Sequence, residues 1–135
     1  INCRLSKRIR DLITLKEEER CWDEAVDRLH IQFDERNIHH AVHTISNAMI
    51  VVIGLLYGER DFEKSIGIAV LSGFDTDCNG ATVGSIIGLM LGANGLPQKW
   101  MEPLHDKLDT DIIGYNMVNI SELARQTVEL ISVTS

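Results

Sequence analysis

The stretch GFDTDCNGATVGSIIGLMLG, from Gly73 to Gly92, places Gly80, Gly84, Gly88 and Gly92 at strict four-residue intervals. In a helix that spacing lines up one glycine per turn on a single face. Each glycine costs roughly 1 kcal/mol against alanine in a helix interior, so four together predict that another backbone approaches closely along that face. A membrane dimerisation face would use the same device, but the run is too short to span a bilayer. The stretch therefore reads as a core helix packed tightly by its neighbours. Just ahead of it, Asp75 and Asp77 stand one residue apart. Taken alone the pair is open to two readings, a solvated helix cap or a holder for a cation, and on spacing alone the cap is the simpler.

Working outward, helical patterns continue in both directions. Asp61 is placed to cap DFEKSIGIAVLSG, with Phe62, Ile66, Ala69 and Val70 as the buried stripe and Gly73 as the stop. Thr44 to Tyr57, TISNAMIVVIGLLY, is apolar almost all round; its Ile/Val content also suits a strand, but its length and the stop at Gly58 predict a buried central helix. Leu5, Ile9, Leu12 and Ile13 recur at helical spacing, and Thr14-Leu15-Lys16-Glu17 has the form of a capping box that would start the next helix. That helix carries its apolar stripe at Trp22, Ala25, Val26 and Leu29, with an acidic solvated face opposite. Pro97 opens a helix containing Trp100 and Leu104, and Ser121 with Glu122 opens another whose Leu123, Val128 and Ile131 face inward. The expectation is one all-α domain over residues 1–135, a helical bundle at least 60% helical and without a sheet.

The 135 residues carry a formal charge of -7, which argues against a nucleic-acid or anionic-membrane surface. The local cluster Arg4, Lys7, Arg8 and Arg10 reads as the solvated side of a helix. Three cysteines without a CxxC pair point to a reduced, cytoplasmic chain. No run reaches the ~18 apolar residues of a membrane span. Because the first residue is Ile1 and not Met, the chain is expected to start in mid-protein.

Two carboxylates on a turn leading into a rigid helix offer several hard oxygen donors at one spot, beside the partial positive charge of the helix N-terminus, and hard divalent cations need such an arrangement. His39 and His40 read as capping and packing residues at the entrance to the apolar helix. His43 and Asn47, at i and i+4, share a face that could line a substrate pocket. A zinc site lacks a third well-spaced ligand.

GFDTDCNGATVGSIIGLMLG followed by GLPQKW resembles the C-terminal motif region of the ADP-ribosylglycohydrolase family, whose pattern runs Gly-Gly-Asp-Thr-Asp, small residues with recurring glycines, then Ile/Leu-Pro and a Trp. The resemblance extends back through HTISNAMIVVIGLLYGERDFEKSIGIAVLSG and forward to the Ser121–Ile131 segment. It implies a compact orthogonal helical bundle, present here in part, and a hydrolase that uses two magnesium ions to cleave the glycosidic bond of an ADP-ribosyl group or a related ribosyl substrate. By position, Asp75 and Asp77 match the family's metal ligands, with Asp77 the residue expected to bridge the metals or hold the attacking water. Thr76 is expected to point away and fix the turn, and His43, Asn47, Cys78 and Asn79 to lie on the substrate side. The two carboxylates are expected to converge in an acidic cleft, with Cys78 facing the interior.

Two departures from the family pattern qualify that expectation. Cys78 stands where the family often has a hydroxyl ligand, and a soft thiol is a poor partner for magnesium. A free thiol beside a metal would also be oxidation-sensitive. The family's remaining ligands lie in an N-terminal Ser/Thr-Asp-Asp motif and an upstream Glu, and no Asp-Asp occurs in this chain. Two function classes therefore stay open: the C-terminal portion of a longer metal-dependent glycohydrolase, whose partners are its missing N-terminal part and an ADP-ribosylated or small-molecule substrate, or a catalytically silent structural relative of the crystallin kind. A homo-oligomer is compatible with either.

Overall fold

The residues around Ile50 determine where the core lies. Met49, Ile50, Ile53 and Tyr57 fall on one face of helix α4 (Thr44–Tyr57), and all four are buried. The computed structural model describes residues 2–133, and in it α4 touches α1 (Arg4–Glu17), α2 (Trp22–Gln32), α5 (Phe62–Leu71) and α6 (Thr76–Leu91). These neighbours contribute Leu12 and Leu15, Ala25, Val26 and Leu29, Ile68 and Ala69, and Val83 and Ile87 to the same core. Fully burying one such aliphatic side chain stabilises by about 1.5–3 kcal/mol relative to leaving it exposed. A short helix α3 (Ile38–Ala41) precedes α4, with Asn37 as its N-cap. The expected α4 boundaries and the Asp61 cap are observed; Asp61 Oδ1 accepts from the Lys64 N–H at 2.7 Å.

Three local expectations are corrected. Thr14–Glu17 does not start a helix but completes α1, because burying Leu15 holds that turn in the helix; the chain reverses at Glu19, φ 58°. Helix α2 starts instead at Cys21, whose backbone N–H donates to Glu24 Oε2 at 3.2 Å. On α1 the buried residues are Leu12 and Leu15, while Ile13 is 40% exposed. On α5 the buried face runs through Ser65, Ile68 and Ala69, with Phe62 and Ile66 half-buried and Val70 largely outside.

The glycine face of α6 also differs from expectation. A Cβ on Gly80 would lie 3.1 Å from Val70 Cγ2, and one on Gly84 3.3 Å from Ile66 Cδ1, so at these two positions side-chain tips of α5, and no backbone, meet the face. Gly92 has nothing within 4 Å and ends the helix at φ +68°. The close backbone approach is at α4 against α5. A Cβ on Gly54 would stand 3.0 Å from the Ser65 carbonyl oxygen, and one on Gly58 only 2.7 Å from Ser65 Cα.

The chain forms two compact units, residues 1–95 and residues 96–135. The second begins with the one-turn helix α7 (Gln98–Met101), N-capped by Pro97. Strands β1 (Lys107–Asp109) and β2 (Met117–Asn119) then pair antiparallel, with Leu108 opposite Val118, and lead into α8 (Ile120–Val133). The described residues are 70% helical and the fold is all-α, but this small sheet corrects the expectation that none would form. Val128 and Ile131 on α8 are each 62% exposed and do not face inward as expected; a unit of this size has too little chain to cover a whole helix face.

Candidate metal centre

Helix α6 begins where the chain turns at Gly73 and Phe74, with φ of +81° and +59°. The glycine adopts that conformation freely, whereas a bulky residue there must be held by its surroundings. Phe74 stands where the family pattern carries its second glycine. His30 packs against its ring, centroids 5.0 Å apart, and the His30 Nε2 lies 3.1 Å from the Ser72 carbonyl oxygen. Glu35 Oε2 accepts from the Phe74 N–H at 3.3 Å. These two residues, 39 and 42 positions away, tether the turn and give no sign of that role in the sequence.

The turn delivers Asp75 to the N-cap position of α6, yet its carboxylate makes no cap hydrogen bond. It is held from α4 instead: Asn47 Nδ2 donates to Asp75 Oδ2 at 3.1 Å, and Asn79 Nδ2 donates to Asn47 Oδ1 at 3.4 Å. A carboxylate only accepts, so it fixes the Asn47 amide with its nitrogen forward and its oxygen back toward Asn79. Asn79 is only 2% exposed, and its side chain is partnered by Asn47.

Asp77 is exposed in the first turn of α6, where the helix dipole favours an anion. One oxygen from each of Asp75 and Asp77 and the Cys78 sulfur lie within 4.8 Å of one another. An oxygen of each carboxylate thus lies near one of the other, and a cation held between them would offset their mutual repulsion. Carboxylate oxygens are donors suited to a hard divalent cation; the sulfur is not.

Cys78 is exposed, contrary to the expectation that it faces the interior, because it falls on the outer side of the turn that buries Asn79 and Gly80. Its hydrogen bond to Asp75 and the charges of Asp75 and Asp77 push the thiol above its ordinary range. A raised pKa favours the less reactive thiol form.

His43 sits one turn ahead of Asn47, and its carbonyl accepts from the Asn47 N–H at 3.1 Å. It is the N-cap of α4, with Nδ1 accepting from the Ile45 N–H at 3.1 Å and its ring 5.8 Å from that of Phe33. A second Asp-Thr-Asp, Asp109-Thr110-Asp111, lies at the end of β1. There Thr110 Oγ1 donates to the Tyr115 carbonyl at 2.9 Å and organises a turn.

The molecule is thus a helical protein that presents an oriented pair of carboxylates at the start of a core helix. A family model described as ADP-ribosylglycohydrolase matches residues 3–133, and the chain belongs to that family. No curated protein and no solved structure matches the chain significantly. Among the described residues, no helix is long and apolar enough to cross a membrane.

Proposed function

We propose that the chain supplies the aspartate side of a magnesium centre in a hydrolase that cleaves the glycosidic bond of an ADP-ribosyl group or a related ribosyl substrate. The observation that carries this reading is the convergence of Asp75 and Asp77, the first oriented from α4 by Asn47, in a chain of this family. Asp75 and Asp77 would hold the ion. Magnesium, when bound, orients ribose hydroxyls and favours charge development at the anomeric carbon. Asp77, exposed at the site, would also hold the attacking water through a hydrogen bond, while Asn47 and Asn79 keep Asp75 from swinging away.

Water completes the octahedron of a magnesium ion held by one or two carboxylates, but the Asp-Asp ligands of the family pattern do not occur in these residues. On this reading the remaining protein ligands come from a segment outside these 135 residues or from a second copy. The free cysteines support a reducing, cytoplasmic setting. One observation favours the alternative of a catalytically silent structural relative: the Cys78 thiol at the position of a hydroxyl ligand. Release of ADP-ribose from ADP-ribosylated arginine, serine and small-molecule acceptors by the protein in its natural full length, with and without magnesium, separates the two. Magnesium-dependent turnover lost in Asp77→Asn supports the hydrolase, and no turnover on any linkage by a magnesium-loaded protein overturns it.

A further inference from the structure

Arg4, Lys7 and Arg8 form part of what reads, as sequence, as a solvated helix face. In the fold they line a single cavity of about 580 Å³ together with His39, His40 and His43. Cavities of that size accommodate small-molecule ligands. Three features give this one a chemical character.

The first is the cations. Arg4 is the first residue of α1 and no acidic residue lies in that first turn, so these side chains add positive charge where the helix dipole is already positive. None of the three forms an ion pair among the described residues. A basic cluster placed against the dipole and outside every ion pair of the described residues is complementary to an anion, although Asp34 lies beside His40 and Asp11 and Glu18 line a neighbouring pocket with Arg8.

The second is the imidazoles. His40 Nδ1 accepts from the Asp34 N–H and His43 Nδ1 from the Ile45 N–H, each at 3.1 Å. With Nδ1 spent as an acceptor, each ring carries its proton on Nε2. Neither Nε2 has a hydrogen-bond partner among the described residues. The third is rigidity: Phe33 packs its ring at 5.6 Å from His40 and 5.8 Å from His43, which holds both imidazoles in place.

We propose that this cavity binds a phosphate group, with the Arg4 and Arg8 guanidinium forks, the Lys7 ammonium and the Nε2–H donors of His40 and His43 as its recognition groups. Planar forks match phosphate oxygens in pairs, a point charge adds attraction, and neutral N–H donors fix orientation. The phosphate can belong to the diphosphate of an ADP-ribosyl substrate or to a separate anion. The inference stands on this cavity and does not depend on the hydrolase reading.

The test is titration of the protein with inorganic phosphate at constant ionic strength, followed by the imidazole nitrogen resonances of His40 and His43. The expected result is a saturable shift of both Nε2 signals, with binding weakened about tenfold or more in Arg8→Gln and in Arg4→Gln. It should be unchanged in Asp77→Asn, which separates this site from the carboxylate pair. His43→Asn retains an N-cap acceptor for α4 and removes the Nε2–H, so weakened binding with an unchanged circular dichroism spectrum supports the assignment. ADP-ribose that displaces phosphate competitively assigns the group to the substrate, and ADP-ribose that binds without displacing it assigns a separate anion. The absence of a saturable shift, or a shift insensitive to Arg4→Gln and Arg8→Gln, overturns the proposal.

Discussion

Asn47 on α4 donates its amide to the Asp75 carboxylate just ahead of α6, across 28 residues of sequence and 3.1 Å of space. This one hydrogen bond ties the central helix to the carboxylate pair. It also explains how an N-cap aspartate is kept from its ordinary capping role: the carboxylate is turned toward α4 and away from the helix's own N–H groups.

Asn47→Ala should therefore loosen Asp75 without removing it. Removing an outer partner of a metal ligand typically costs 10–100-fold in affinity, and a loss of about that size is expected here. Manganese titration, read by paramagnetic broadening of the Asp75 and Asp77 amides, measures it. Affinity equal to wild type would show that Asn47 does not orient the site.

Asp77→Ala should leave the fold intact, because the side chain is exposed and substitutions at such positions usually change stability by no more than about 0.5 kcal/mol. In the natural full-length protein the same change should abolish hydrolysis. The 135 residues alone, which lack the Asp-Asp ligands of the family pattern, should bind magnesium weakly and show no detectable ADP-ribosyl hydrolysis. Robust turnover by the chain alone, measured as ADP-ribose release, would contradict the ligand count.

Three glycines give a graded test of the α4–α5–α6 packing. Gly58→Ala forces a methyl to within 2.7 Å of the Ser65 backbone and 1.9 Å of its hydroxyl oxygen, so a loss of about 1–3 kcal/mol or more is expected. Gly84→Ala meets only the Ile66 side-chain tip at 3.3 Å, which can move, and should cost less. Gly67 lies inside α5 with nothing within 4 Å of its added Cβ, so Gly67→Ala should stabilise by about 0.5–1 kcal/mol. Urea unfolding of the three variants ranks them, and a different order would mean that the helices meet elsewhere.

In the unit 96–135, Asp106 accepts from the Ser121 hydroxyl at 2.6 Å and the Ser121 backbone N–H at 2.8 Å, and these bonds hold its carboxyl below the ordinary aspartate range. A depressed folded value contributes stability that is fully present above the unfolded value of 3.8 and is lost as pH falls through the folded value. Glu122, lowered to about 2 by its hydrogen bonds to Arg125 and Gln126, carries the same sign to lower pH. The start of α8 should therefore stay ordered at pH 5, begin to lose this stability below 3.8 and fray as pH falls toward about 2. The Ser121 amide resonance reports this; Asp106→Ala should fray it at neutral pH, and an amide unmoved between pH 6 and 2 would exclude the cap.

The helices of this protein were legible in its sequence because helical structure is local. Hydrogen bonds reach four residues and side chains pair at three and four, so TISNAMIVVIGLLY and the Asp61 cap announce themselves. The strands at 107–109 and 117–119 pass unnoticed, since three residues carry no detectable period. The site divides in the same way. Asp-Thr-Asp occurs twice, at 75–77 and at 109–111, and no local feature of the tripeptide distinguishes them. The sequence alone determined that two aspartates precede a small-residue helix and that the surrounding pattern is that of a family. The tertiary structure decided that Asp75 is aimed by Asn47, that the turn before it is tethered by His30 and Glu35, and that three cations on α1 share a cavity with three histidines. The physical reason is range: each of those relationships joins residues 28 to 42 positions apart or lies between separate helices, and only the packing of α4 against its neighbours brings such groups within hydrogen-bond distance.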